Sequence, residues 1–242
     1  MTPTDWRSVI TDAAALGIRT IQLIGGEPTA HPNWREFPEL ALSLGRRVEV
    51  YSNLFHVRDE WWDVFALDGV TLGTSYYSDD SEEHDRITGR AGSHARTRSN
   101  IGEAVLRGIT IRAGIVDVLP KQRVEEARAE LAAMGVAGIS TDRVRAVGRA
   151  MPPGTKPTLS EMCGRCTRGR AAVLPNGDLA GCVLSRDFPV GNVRDTPLAD
   201  LLGGKAWADL AMRIPASRAA CPPDDSGDCD PANTEACDPA YD

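Results

Sequence analysis

The chemistry-bearing residues of this chain fall into two groups. Six cysteines all lie beyond position 162: Cys163-x-x-Cys166, then Gly177 and Cys182 after ten and four further residues, then Cys221, Cys229 and Cys237 at two equal gaps of seven. Thiolates bind soft metals, and a hairpin between two of them would fix their separation, as in zinc ribbons and iron–sulfur sites. Burial as ordinary core cysteines suits them poorly, because Cys221, Cys229 and Cys237 sit in Pro- and Asp-rich sequence with little apolar material around them. Zinc and an iron–sulfur cluster both remain open on spacing alone.

The second group is Gly25-Gly26-Glu27-Pro28, directly after the apolar run Thr20-Ile21-Gln22-Leu23-Ile24. Two glycines let backbone come close to a ligand, and a carboxylate beside them can meet an ammonium group. Taken alone, four such residues also make a plain tight turn with a capping acid. Their meaning depends on the elements that position them.

Those elements alternate. Thr2 can cap a helix with Pro3 at its first position and Asp5 three residues on, and Trp6, Val9, Ile10, Ala13 and Leu16 follow at helical spacing. Strands are expected at Thr20–Ile24, Val48–Ser52, Val70–Thr74, Ile109–Val116 and within Gly138–Val147. Helical stripes run from Trp34 to Leu44, Glu60 to Leu67, Ser93 to Leu106 and Val124 to Met134. Strands separated by such helices imply parallel pairing with right-handed crossovers, and ligands then gather at the C-terminal ends of the strands. Pro152-Pro153-Gly154 and Lys156-Pro157 mark a linker, dividing the chain into residues 1–150 and 151–242. In the second part Pro175-Asn176-Gly177-Asp178 reads as a hairpin turn, and Leu198–Met212 as a helical stretch.

Composition narrows the class. A net charge of −7 argues against general nucleic-acid binding, and the 242 residues contain no long apolar run and no secretory pattern at the N-terminus. Unpaired cysteines without such a signal fit a cytoplasmic protein with no membrane partner. His84 reads as a loop hydrogen-bonder, His31 as an aid to a helix start, and Trp61-Trp62 as one packed ring and one near the surface. Arg143, Arg145 and Arg149 alternate along the expected last strand.

In this order the motifs resemble the radical S-adenosylmethionine superfamily, in its branch with a C-terminal SPASM domain. Gly25-Gly26-Glu27-Pro28 is similar to the family's GGEP motif, which contacts the methionine amino group of the cofactor. Asn53 falls where many members carry Asn at the end of the next strand, and Ser75 matches a position that often reaches the ribose. Glu83-His84-Asp85-Arg86-Ile87-Thr88-Gly89, with Gly92-Ser93, resembles a loop on the substrate side, and Cys166-x10-Gly177-x4-Cys182 the SPASM opening.

The resemblance implies an incomplete α/β barrel of the (β/α)6 type without its first strand, followed by a small Cys-rich SPASM-like domain. It implies S-adenosylmethionine at Gly25, Gly26, Glu27, Pro28, Asn53 and Ser75, and an auxiliary 4Fe-4S cluster on Cys163, Cys166, Cys182, Cys221, Cys229 and Cys237, with zinc as the alternative metal. The implied activity is hydrogen-atom abstraction from a peptide or small-molecule substrate, served by an electron-donor protein. Two features depart from the pattern. No CxxxCxxC run occurs in the 242 residues, so a strand and cluster loop are expected upstream of Met1. Six cysteines are also fewer than the eight that two fully cysteine-bound four-iron clusters need. The rival readings are a cluster-free peptide-binding partner and a zinc-stabilised α/β module.

Overall fold

The computed structural model describes residues 1–215, which form two compact units. Among the described residues, one comprises residues 20–144 and the other joins residues 1–19 to residues 145–215, so the first helix groups with the later part of the chain. Cys221, Cys229 and Cys237 lie outside the described residues.

The first unit is a five-stranded parallel sheet in the order β1 (Thr20–Leu23), β2 (Arg47–Tyr51), β3 (Val70–Tyr76), β4 (Ile111–Asp117) and β5 (Gly138–Arg143). Alternation along each strand decides which side the helices cover. Val48, Val50, Leu72, Ile111, Ala113 and Ile115 are all 1% exposed or less and form the apolar side. Against the sheet pack α2 (Glu36–Ser43), α3 (Trp62–Phe65), α5 (Ser93–Leu106) and α6 (Val124–Ala133). The opposite side is polar. Gln22 stands opposite Glu49, Tyr51 opposite Gly73, Gly73 opposite Arg112, and Ser75 opposite Gly114. A parallel sheet covered by apolar layers on both sides would read as continuous hydrophobic runs; here one side is reserved for polar groups.

In the second unit, α1 (Pro3–Ala15) begins with the expected capping box. Thr2 Oγ1 accepts from the Asp5 amide at 3.2 Å, and Asp5 Oδ2 accepts from the Thr2 amide at 2.7 Å. The Pro175–Asp178 turn joins β6 (Ala172–Val173) to β7 (Asp178–Ala180), and β8 (Gly191–Asn192) completes a small antiparallel sheet.

Four local expectations change. The last strand ends at Arg143, so Arg145 and Arg149 do not continue an alternating row; Arg145 donates to the Glu161 carbonyl at 2.8 Å, and Arg149 falls in a short 3-10 turn. Both Trp61 and Trp62 are buried, at 7% and 4%, because the segment opens as a 3-10 turn before α3 and rotates both rings inward. The C-terminal helical stretch is broken at Gly204 into α7 (Leu198–Gly203) and α8 (Lys205–Arg213). The fourth is α4 (Ser81–Thr88): the segment read as a loop is a helix, capped by the Asp80 carboxylate on the Glu83 amide at 2.8 Å and closed by Gly89 in the left-handed region.

Candidate functional site

At the end of β1 the chain turns through Gly25, whose φ of 143° is open only to glycine. A Cβ on Gly25 or Gly26 would meet nothing within 4 Å, so open space lies beside both backbones. Glu27 then caps a single 3-10 turn, Pro28–Ala30. Its Oε1 accepts from the Thr29 amide at 3.2 Å and the Thr29 hydroxyl at 2.8 Å, and its Oε2 accepts from the Asn53 amide at 2.8 Å. One carboxylate thus ties the end of β1 to the end of β2.

The β2 side of this tie is itself held from behind. Leu54 is buried with φ at 50°, a costly conformation for a branched residue that its surroundings must enforce. Thr97 and Asn100 of α5 supply that force, donating to the Asn53 carbonyl at 3.0 Å and the Leu54 carbonyl at 2.7 Å. Asn53 Oδ1 meanwhile accepts from the Phe55 amide at 2.8 Å. Helix α5 is anchored in turn by Asp85 of α4, which accepts from the amides of Gly92 at 2.5 Å and His94 at 2.8 Å. Those hydrogen bonds hold the Asp85 carboxyl below the usual carboxylate range. The Glu83–Gly89 segment therefore works as a clasp between two helices.

Ser75, in β3, meets the Tyr51 hydroxyl at 3.3 Å, and that hydroxyl also donates to the Thr74 carbonyl at 3.1 Å. Beneath them Glu49, fully buried, receives Arg112 through two hydrogen bonds of 2.7 and 3.0 Å and also accepts from Gln22. Arg112 lies over the Tyr51 ring, 5.1 Å from its centroid. Burial raises the Tyr51 pKa, so its hydroxyl stays protonated and can donate. This Gln22–Glu49–Arg112–Tyr51 floor was not read from the sequence. The available signal was Glu49 and Tyr51 alternating with valines in a strand.

His84 is set apart from this floor. It is 1% exposed, on the helix-covered side, with its ring 5.1 Å from Tyr76 and 5.5 Å from His94. Neither ring nitrogen has a hydrogen-bond partner among the described residues. Burial, then the neighbouring His94, lower its pKa to about 4.

In the second unit Cys166 and Cys182 meet in a buried cluster with Met162, Leu210 and Ile214. Their sulfurs are 3.0 Å apart, far outside a disulfide bond length, and both are free thiols, as is Cys163. The hydrogen bond the two sulfurs share pulls the Cys182 pKa down, to about 6, helped by the backbone N–H groups of Ser185 and Leu184, while the same bond and burial push Cys166 up. Cys163 is near enough to act on Cys166 electrostatically. Among the described residues, however, no three His, Cys, Asp or Glu side chains are grouped to hold a metal ion. Two converging buried thiols suit a soft metal. No helix among the described residues is long and apolar enough to cross a membrane.

Residues 1–132 match the radical SAM superfamily, and residues 155–230 match an iron–sulfur cluster-binding domain, SPASM. The chain is 27% identical over 121 residues to an S-adenosylmethionine-dependent nucleotide dehydratase from Thermoplasmatales archaeon (strain ISO4-H5), covering 49% of this chain and 43% of that protein. It is 32% identical over 98 residues to the antilisterial bacteriocin subtilosin biosynthesis protein AlbA from Bacillus subtilis (strain 168), covering 40% of this chain and 22% of that one. The chain thus matches less than half the length of each of these relatives. The fold resembles Streptococcus suis SuiB bound to S-adenosylmethionine, with a TM-score of 0.72, 15% identity, and 86% and 60% of the two chains covered. It also resembles anSMEcpe with bound AdoMet and a Cp18Cys peptide, at a TM-score of 0.65, 12% identity, and 86% and 74% coverage. The cofactor named by the first match is S-adenosylmethionine, and the second match adds an iron–sulfur cluster. A parallel α/β sheet followed by a SPASM domain, with the first match spanning more than half of the residues, places the chain in the radical SAM superfamily.

Proposed function

We propose that this chain binds S-adenosylmethionine across the C-terminal ends of β1, β2 and β3, as part of an enzyme that abstracts a hydrogen atom from a peptide. The observation that supports it most is the Glu27 carboxylate, which joins two strand ends beside the open space next to Gly25 and Gly26. In this reading the Gly25-Gly26 backbone and Glu27 receive the methionine ammonium group, and Pro28 fixes the turn behind them. Asn53 holds the second wall, and Ser75 offers its hydroxyl to the ribose. Bound there and given one electron by a reduced iron–sulfur cluster, S-adenosylmethionine would release methionine and supply the 5′-deoxyadenosyl radical chemistry that removes a hydrogen atom.

The residues of the chain contribute position. The buried Glu49–Arg112 pair holds Tyr51 flat across the strands, and Tyr51 orients Ser75. A site fixed by packed strands keeps reacting atoms close and aligned, which is worth many orders of magnitude in rate. Cys166 and Cys182 would hold an auxiliary cluster, with Cys163, Cys221, Cys229 and Cys237 as further ligands, and that cluster would anchor substrate or accept an electron. The SPASM match favours iron and sulfide over zinc. A peptide is favoured as substrate because SuiB is known bound to its precursor peptide SuiA and AlbA serves bacteriocin biosynthesis. An electron-donor protein is the implied partner, and free thiols at Cys163, Cys166 and Cys182 suit the cytoplasm.

Anaerobic calorimetric titration of S-adenosylmethionine into wild type and Glu27→Gln tests this. Loss of a charge-assisted contact should weaken binding about tenfold. Equal affinity would remove Glu27 from the site.

A further inference from the structure

A cleft of about 560 Å³ opens beside Glu27, within the first unit, and its walls are cationic and aromatic. Arg35 stands at the start of α2; Phe55, His56 and Arg58 come from the segment after β2; Trp61 opens the turn into α3; and Arg90 lies between α4 and α5. Two guanidinium groups are braced on rings. Arg90 sits 3.4 Å from the centroid of Phe55, and Arg58 sits 5.4 Å from that of Trp61, whose ring also meets Trp34 at 5.4 Å and His56 at 5.9 Å.

Cationic side chains outnumber acidic ones in the cleft: Arg35, Arg58 and Arg90 stand against Glu27, whose oxygens accept from Thr29 and Asn53, and Glu60, which reaches Arg58 at 3.9 Å. Arg35 and Arg90 have no carboxylate partner among the described residues. A guanidinium lying on a ring keeps its edge N–H groups directed outward, and that planar fork matches a carboxylate bidentately. Concave cationic walls also concentrate anions from solution. Neither a lysine nor a glycine is among the lining residues, so the backbone-amide cradle that phosphate groups favour is missing from this cleft.

We infer that this cleft captures an acidic side chain of the peptide substrate, Arg90 and Arg35 gripping the carboxylate while Phe55 and Trp61 take the neighbouring apolar residue. The inference rests on the peptide reading proposed above, and it places the anchor in the cleft that Glu27 and Asn53 also line.

Trp61 and Trp34 both line the cleft, so tryptophan fluorescence reports occupancy. The probes are acetyl-Ala-Leu-Glu-Leu-Ala-amide, its Gln counterpart and ATP, titrated into wild type and the Arg35→Gln/Arg90→Gln variant. Both arginines are exposed, so the variant should fold, and its melting curve checks that. The Glu peptide should bind wild type about tenfold more tightly than the Gln peptide, and the variant should lose that preference. Equal binding of the two peptides, no binding of either up to about 1 mM, or ATP binding more tightly than the Glu peptide with the same arginine dependence would each overturn it. S-adenosylmethionine affinity measured on the same samples separates the two ideas. If the cofactor binds normally and the peptides are not distinguished, only the acidic anchor falls; if the cofactor fails to bind, the Glu27 site falls.

Discussion

Replacing Arg112 by Met tests the polar floor of the sheet. Glu49 is fully buried, and two of its three hydrogen bonds come from Arg112, at 2.7 and 3.0 Å; the third comes from Gln22. Arg112 Nε and Glu49 Oε1 are also an ion pair with side-chain exposures of 12% and 0%, so bulk water screens it little. Breaking a buried pair from one side leaves an uncompensated charge and costs about 3–5 kcal/mol, whereas replacing both members by apolar residues of similar volume is often close to neutral. Arg112→Met should therefore lose about 3 kcal/mol or more, and Glu49→Leu/Arg112→Met should recover most of it. In thermal unfolding that loss is a fall of roughly 6–12 °C. Urea unfolding of wild type, both single variants and the double variant gives the coupling energy directly. A loss under about 1 kcal/mol in Arg112→Met, or a double variant as unstable as the sum of the single ones, would refute the claim that this pair carries a buried charge.

Three further outcomes follow from the same contacts. Gly73→Ala would set a Cβ 2.9 Å from Tyr51 Cε2 and 3.1 Å from Glu49 Oε1, so it should cost about 1–3 kcal/mol, with Tyr51→Ala relieving most of it in urea unfolding. His84 titrates near 6.5 in the unfolded chain and about 4 in the folded one, so the unfolded state takes up the proton first. Stability should be full above pH 6.5, fall by up to about 3 kcal/mol toward pH 4 and then level off, and His84→Phe should flatten that window in melting curves. Cys166→Ala and Cys182→Ala should each lower the iron retained after anaerobic reconstitution with iron and sulfide; a colourless wild type holding stoichiometric zinc would instead favour the zinc module.

The parallel α/β order was legible because each strand is an apolar run bounded by turn residues, and because Thr2, Pro3 and Asp5 mark the start of α1 locally. The hairpin at Asn176-Gly177 was legible for the same reason. Elements whose ends depend on distant partners were not. Helix α4 was hidden because its few apolar residues make no stripe, although Asp80 with Glu83 three residues on was a usable start signal. The start of α5 is held by Asp85 on another helix, which accepts from the Gly92 and His94 amides, and no local pattern shows that. In the site, Glu27 and Asn53 could be placed at strand ends from spacing, but their direct hydrogen bond could not. The floor under them required knowing that Glu49 and Arg112, 63 residues apart, share one side of the sheet.

Hydrogen–deuterium exchange with and without saturating S-adenosylmethionine locates the ligand on the chain itself. Slowed exchange should appear in peptides spanning residues 25–31, 52–55 and 74–77, the three strand ends that Glu27, Asn53 and Ser75 occupy, and it should fade at 25–31 in Glu27→Gln. Protection confined to other segments, or none at saturation, would contradict the assignment of these strand ends to the cofactor.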